Sequence, residues 1–312
     1  MKITEEFIGT NDRIQIISND GLSTPIPEDW RPVLVDRAMI VVIPDMHMFL
    51  YKDNLDNFWH GDEAMMSFLR HVSNVKDHLE DRGMKLRVYQ IGDMYELKFP
   101  GRHANVTAAE IRISSDDYSL ICNMIDNLDT SKIYGNHDFE NRHFDGYEFN
   151  YTQGKIYLEH GFAADTSSAN PLLPFWDPQM FLFLQARALN QAVGKLAVEL
   201  DLIPSDSTFS VGVTSGEVER AGYPLVTDYH ANFGRIKQHY CDRLRRGLNG
   251  DNCRISIIGH THHPHLDPNV DDGNYMYVDC GAWTEGRSDF VVVTDEELAI
   301  CHYKRISSTT PV

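Results

Sequence analysis

Five times along this chain an apolar, strand-like run gives way to side chains that ligate metals, and that repetition restricts the fold more than any other feature. The run at 39–43 leads to Asp45 and His47, and the run at 86–91 leads to Asp93. Residues 132–134 lead to Gly135-Asn136-His137-Asp138, 155–158 to His160-Gly161, and 255–258 to Gly259-His260-Thr261-His262. In a sheet of parallel strands the loops at the carboxyl ends converge and carry the ligand chemistry. A chain built this way gathers Asp45, His47, Asp93, Asn136, His160, His260 and His262 along one edge. Any one of them alone fits an ordinary surface or core position. Complementary ligands repeated at strand ends define a site.

The segments between these runs alternate as such a sheet requires. A strand is expected near Ile14-Gln15-Ile16-Ile17, followed by a Pro-bearing loop from Pro25 to Trp30. Met65, Phe68, Leu69, Val72, Val75 and Leu79 recur at helical spacing, with Gly83 as the stop. Ser115 is a good N-cap for a second helix through Leu120, Ile121, Met124, Ile125 and Leu128. Strand–helix–strand order implies right-handed crossovers and a largely parallel sheet. The span from His160 to His260 exceeds a simple connection. Residues 164–230 are expected to form an inserted, partly helical cap on a single domain of 312 residues. Asp177-Pro178 supplies an N-cap and a favoured first helical residue. Met180, Phe181, Phe183, Leu184, Leu189, Val193, Leu196 and Leu200 give the next helix an apolar face, which suits the core of the cap, a homodimer contact or a lipid-facing patch. A helix through Phe233, Ile236, Tyr240 and Leu244 returns to the strand at Ile255. A strand at 275–280 and a hairpin around Asp295-Glu296 complete the pattern.

Composition narrows the partners. Lys and Arg number 28 against 46 Asp and Glu, a formal net charge of -18. Such a field repels nucleic acid, which binding proteins meet with clustered Lys and Arg. The five cysteines include no Cys-x-x-Cys and are expected to be reduced, mostly buried thiols. Residues 1–6 lack the apolar stretch of a signal peptide, and no apolar run is long enough to span a bilayer, so the expected location is the cytoplasm.

Carboxylate, imidazole and amide ligands together suit Mn, Fe, Zn or Co better than Ca or Mg alone. Seven ligands exceed the needs of one ion with an open position, and two ions sharing Asp93 fit better. Paired ions about 3.5–4 Å apart clamp a tetrahedral phosphoryl group for in-line attack.

The order Asp-x-His, Gly-Asp, Gly-Asn-His-Asp, His-Gly, Gly-His-x-His resembles the calcineurin-like metallophosphoesterase superfamily, from about Val41 to Tyr303. The resemblance implies a four-layer α/β/β/α sandwich of two mixed sheets. It implies one metal held by Asp45, His47, Asp93 and His262, and a second held by Asp93, Asn136, His160 and His260, with manganese the leading ion. A hydroxide between the ions would attack the phosphorus of a small-molecule phosphodiester, diphosphate or phosphomonoester. His137 would not ligate, but would stabilise the transition state or protonate the leaving oxygen. Where the family's second motif usually ends in Asp, this chain has Glu96, expected to steady His137 through a longer arm. Tyr95 lies one place short of the ligating Tyr of purple acid phosphatases and is not expected to touch metal.

Details of the motifs separate the functions found in the superfamily. Protein Ser/Thr phosphatases of the superfamily carry Arg before Gly-Asn-His and Asp-Arg-Gly after the second motif; here Tyr134 and Glu96-Leu97-Lys98 stand instead. Nuclease members show a basic surface, unlike this acidic chain. Gly-His-Thr-His-His-Pro and the stretch Tyr277-Val278-Asp279-Cys280-Gly281-Ala282-Trp283 are similar to bacterial UDP-diacylglucosamine pyrophosphohydrolases, although Phe162 replaces their Asp after His-Gly. A scaffold on the same fold, like the retromer subunit, would be expected to lose ligands or the catalytic His. His263 and His265 extend the histidine cluster and are expected to be solvent-exposed or to support ligands rather than to ligate. Arg102, His103, Arg142 and His143 are placed to contact phosphate or to lie in solvated loops.

Overall fold

A computed structural model describes residues 1–9, 11–16, 23–31, 37–50, 58, 61–97, 106–138, 146–162, 164, 225–247, 252–284 and 287–304, with only the backbone described along 225–232. Nearly all of the expected cap, its Asp177-Pro178 start and its apolar helix, and also Arg102, His103, Arg142 and His143, lie outside the described residues.

The strands in chain order begin with β1 (Ile14–Ile16), β2 (Ser23–Pro25), β3 (Ala38–Ile43), β4 (Lys85–Gln90), β5 (Ser131–Ile133) and β6 (Tyr147–Glu148). There follow β7 (Asn150–Gln153), β8 (Ile156–Glu159), β9 (Ile255–Ile258), β10 (His265–Val270), β11 (Tyr275–Asp279), β12 (Asp289–Val293) and β13 (Glu297–Tyr303). The α-helices among the described residues are α1 (Asp62–Asp81), α2 (Ala108–Ile113), α3 (Asp116–Asn127) and α4 (Leu225–Arg246), and a π-helical turn spans Thr4–Ile8.

The strands form two sheets. One has the order β1-β13-β12-β3-β4-β5-β6, with β2 also on β13; the other has the order β10-β11-β9-β8-β7. Both are mixed. β3 to β6 are parallel, but β12 runs antiparallel to β3, and β13 is antiparallel to β12, β1 and β2. The largely parallel sheet expected from helix–strand alternation is therefore half antiparallel, because the C-terminal hairpin inserts beside β3. In the second sheet β8, β9 and β11 are parallel and the edge strands β7 and β10 antiparallel.

Three apolar layers order the architecture as α/β/β/α. Side chains alternate across a strand, so Met39, Val41 and Ile43 of β3 pack towards α1 and α3, while Ile40 and Val42 meet the second sheet. All six residues of β3 are buried, as a strand covered on both faces requires. The outer face of the second sheet, with Tyr157, Ile258 and Tyr277, is covered by Ile236, Tyr240 and Leu244 of α4. α4, described from Leu225, overlaps the span expected for the cap.

Local signals hold where packing agrees with them. The helix stripe of α1 is buried, and Gly83 follows its end with φ +69°. Ser115 caps α3 by accepting the Tyr118 N–H at 3.1 Å. Leu120 is 43% exposed, because the buried stripe of α3 is Tyr118, Ile121, Cys122 and Ile125 and position 120 falls beside it. All five cysteines are buried and unbridged. No described helix is long and apolar enough to cross a membrane.

Phe68 of α1 is fully buried against Phe290, Trp283 and Tyr303, with ring centroids at 4.5, 5.1 and 6.2 Å. Phe68→Ala should cost about 3–5 kcal/mol of stability through lost burial and the cavity left behind. Urea unfolding followed by circular dichroism measures it, and a loss below about 1 kcal/mol would mean the α1 layer is not packed as described.

Candidate metal centre

The five ligand-bearing loops leave the carboxyl ends of β3, β4 and β5 in one sheet and of β8 and β9 in the other. They meet where the ends of the two facing sheets come together, rather than along one sheet edge. The loops are cross-tied by backbone. Met46 and His47 N–H both donate to Asp93 O, at 3.0 and 2.8 Å, and Trp283 N–H donates to Asp45 O at 2.7 Å.

The backbone of the site is strained. His47, Asp93, His260 and His262 have φ of 48°, 50°, 73° and 55°. Non-glycine residues rarely adopt this left-handed region, which costs about 1–3 kcal/mol each and persists only where surrounding contacts enforce it. Glycine is needed where loops touch. A Cβ at Gly135 would lie 2.0 Å from Asp93 Oδ1 and 2.3 Å from Asp93 N. Gly135→Ala should therefore displace the Asp93 carboxylate and cost about 1–3 kcal/mol as overpacking. Its retained metal, measured by elemental analysis, should fall below that of the parent, and an unchanged metal content would contradict this geometry.

Two clusters of ligand atoms form, Asp45 with His47 and His262, and Asp93 with His160 and His260; within each, the atoms lie within 4.8 Å of one another. His47 Nε2 and His262 Nε2 are 3.2 Å apart. Asp93 Oδ2 lies 3.1 Å from His160 Nε2 and 3.7 Å from His47 Nε2, so it faces both clusters. Asn136 Oδ1 is 3.2 Å from His160 Nε2. His160 Nδ1 donates to Ile91 O at 2.9 Å, which leaves Nε2 turned to Asp93 and Asn136. Six of the seven predicted ligands thus sit in the two clusters, and Asn136 borders the second.

His137 and Glu96 stand beside them. His137 Nδ1 is 2.8 and 2.6 Å from the two Glu96 oxygens, and His47 Nδ1 is 3.0 Å from Glu96 Oε2. One carboxylate therefore orients two imidazoles, whose rings meet edge-on at 4.6 Å. His137 also falls into a third group of ligand atoms with His47 and Asp93.

The donor set fits divalent cations. Asp45 Oδ1 is buried with no well-formed hydrogen bond, and its neighbours are His262, His160 and His47 Nε2 at 3.4, 3.8 and 3.9 Å. A cation held by Asp45 and the neighbouring imidazoles would give that oxygen the partner it lacks. Electrostatics agree. Burial alone would lower His47 and His160, but Glu96, Asp93 and Asp45 overcome it and raise His47 to about 9, and Asp93 with Asp45 raises His160 to about 10. Burial would raise Asp93, yet the imidazoles of His160, His137 and His47 hold it well below the usual carboxylate range. The imidazoles hold protons because carboxylates surround them, and the same carboxylates attract divalent charge.

Several supporting residues gave no signal of their role in the sequence. Asp138 is fully buried and accepts Gly135 N–H at 2.7 Å and Met94 N–H at 3.0 Å, joining the second and third loops. Burial and nearby Asp93 push its carboxyl up to about 7. Gln90 staples Gly92 by donating to its carbonyl at 2.7 Å and accepting its N–H at 3.2 Å. Tyr95 points away, its hydroxyl 3.5 Å from Cys122 Sγ. His263 and His265 stack edge-on against Phe233 and join no ligand cluster among the described residues. The Phe162 ring packs 5.8 Å from that of His160.

No protein-family model and no curated protein matches the chain. Among solved structures it is similar to the sulfate thiohydrolase SoxB of Thermus thermophilus in complex with glycerol (TM-score 0.32, 11% identity, 83% of this chain and 53% of that one). It is also similar to the 5'-nucleotidase from Candida albicans SC5314 (TM-score 0.32, 10% identity, 84% of this chain and 48% of that one). The chain spans about half the length of each.

Proposed function

We propose that this chain is a dinuclear metal-dependent phosphoesterase of the calcineurin-like type. The observation that carries the reading is the pair of carboxylate–histidine clusters facing a common Asp93. In this reading Asp45, His47, Asp93 and His262 hold one ion and Asp93, Asn136, His160 and His260 the other, with Mn the leading metal and Fe, Zn or Co alternatives. Bound ions of this kind act as Lewis acids on a phosphoryl group and lower the pKa of water.

The protein's own groups complete the chemistry. Glu96 accepts a hydrogen bond from the Nδ1–H of His137, which keeps that proton on Nδ1 and gives Nε2 to the substrate side. A proton on that Nε2 passes to the departing oxygen as the ester bond breaks. Glu96 also holds the Nδ1–H of His47, so that Nε2 of His47 is the ligating atom. The strained loops keep these groups fixed before substrate arrives, which limits the reorganisation needed during the reaction.

The substrate class we infer is a small-molecule phosphodiester or nucleotide-type diphosphate. This choice rests on the net charge of -18, unfavourable for nucleic acid, and on the resemblance of the His262-His263-Pro264 and 277–283 stretches. The test is metal analysis together with turnover of bis(4-nitrophenyl) phosphate, 4-nitrophenyl phosphate and nucleoside diphosphate esters after loading with Mn. Two ions per chain with Mn-dependent hydrolysis are expected. Tightly held ions without hydrolysis of any ester would favour a non-catalytic scaffold, and absence of metal binding would overturn the reading.

A further inference from the structure

The turn that carries His260 and His262 places two left-handed residues within three positions. Thr261 N–H donates to Gly259 O at 2.9 Å, closing a three-residue turn centred on His260 at φ +73°. A γ-turn with positive φ is rare and strained. His262 follows directly, again left-handed at 55°. Something must hold two such residues in place.

Thr261 lies between them and is itself buried. Its hydroxyl donates to Asp279 Oδ2 at 2.5 Å and accepts the His263 N–H at 3.2 Å. Asp279 is fully buried at the end of β11, paired in parallel register with Ile258 at the end of β9. Its remaining hydrogen bonds, from the Tyr277 hydroxyl and Gly281 N–H, are long at 3.4 Å each. No ion pair to Asp279 forms among the described residues. Burying a carboxyl without a cation is costly, and its one short contact is to Thr261. Two adjacent parallel strands thus end in a carboxylate on one and the histidine turn on the other.

We propose that Asp279 and Thr261 form a positioning clamp that holds the turn at His260 and His262 so that both imidazoles face the metal centre. The inference rests on the metal-centre reading above. Among the described residues Asp279 belongs to none of the ligand clusters, and the Thr261 hydroxyl is engaged by Asp279 and the His263 N–H. The clamp therefore acts through the backbone that joins Thr261 to His260 and His262. Losing the hydroxyl releases the His263 N–H and Asp279 together and lets the turn relax towards unstrained φ. Supporting groups one step removed from the ligands typically change metal affinity about 10–100-fold.

The experiment compares the parent protein with Thr261→Val, which keeps the shape and removes the hydroxyl, and with Thr261→Ser, which restores it. Mn affinity is measured by titration calorimetry on protein shown to be folded by circular dichroism. Thr261→Val should bind Mn about 10–100-fold more weakly, and Thr261→Ser should return close to the parent. Parent-like affinity in Thr261→Val overturns the clamp and leaves the metal reading intact. Equal weakening in both variants also overturns it, because the hydroxyl would then not be the cause. If the parent itself binds no divalent ion, the metal reading and the clamp fall together. Should Thr261→Val not fold, Asp279→Asn keeps an acceptor and Asp279→Leu removes it, and the same contrast in affinity decides.

Discussion

Asp93→Asn should abolish Mn-dependent hydrolysis and strip metal from both clusters at once. The geometry leaves the amide no good orientation. Oδ1 of Asp93 accepts the His137 N–H at 2.7 Å, while Oδ2 faces His160 Nε2 at 3.1 Å and His47 Nε2 at 3.7 Å. With the amide nitrogen at the Oδ1 position, two donors oppose each other and the third loop shifts. With it at the Oδ2 position, the anion shared by the two clusters becomes a donor aimed at the atoms that should be ligands. Residues that merely support ligands change metal affinity about 10–100-fold, so losing a shared ligand should exceed about 100-fold at each cluster. Elemental analysis after dialysis against a weak chelator reads the metal, and ester turnover reads the activity. Retention of two ions with near-parent turnover would sink the shared-ligand assignment.

What the sequence discloses here is local, and what it conceals is pairing at a distance. Each transition from apolar run to ligand occupies fewer than ten residues, so Asp45, His47, Asp93, Asn136, His160, His260 and His262 could be picked out one loop at a time. The stripe of α1 and the Ser115 cap are likewise short-range patterns. Sheet membership is not. β12 and β13 form a legible hairpin, but nothing in their sequence says that β12 pairs with β3 from far up the chain and turns a parallel sheet into a mixed one. The supporting groups are hidden for the same reason. Asp279 reaches Thr261 across 18 residues, and Glu96 reaches His47 and His137 across 49 and 41. The departure from Asp to Glu at position 96 was visible, but its contact with His47 as well as His137 follows only from where β3, β4 and β5 bring the loops. The left-handed backbone at His47, Asp93, His260 and His262 had no local signal, because such residues prefer other conformations until tertiary contacts override them.

His137→Ala should separate metal binding from proton transfer. The ring lies beside the two clusters with Nδ1 committed to Glu96, and in the proposed reading Nε2 serves the leaving oxygen. Removing a positioned general acid costs about 10²–10⁴-fold in kcat. The loss should depend on the leaving group. From a nitrophenyl ester 4-nitrophenolate departs as a stable anion and needs little protonation, whereas the alkoxide leaving an alkyl ester needs the proton as the bond breaks. The variant should therefore lose far more activity on alkyl phosphodiesters than on the nitrophenyl ester, while its Mn content stays at the parent level. Glu96→Gln should show the same leaving-group dependence in weaker form, because the amide oxygen can still accept a hydrogen bond from the Nδ1–H but carries no charge to support the imidazolium. The alternative is explicit in the geometry, since His137 also groups with His47 and Asp93 as ligand atoms. If His137→Ala loses metal, and all esters decline equally, the ring is a ligand and the proton must come from elsewhere. A uniform decline with metal retained would point instead to charge stabilisation by the imidazolium, with no proton moved in the transition state.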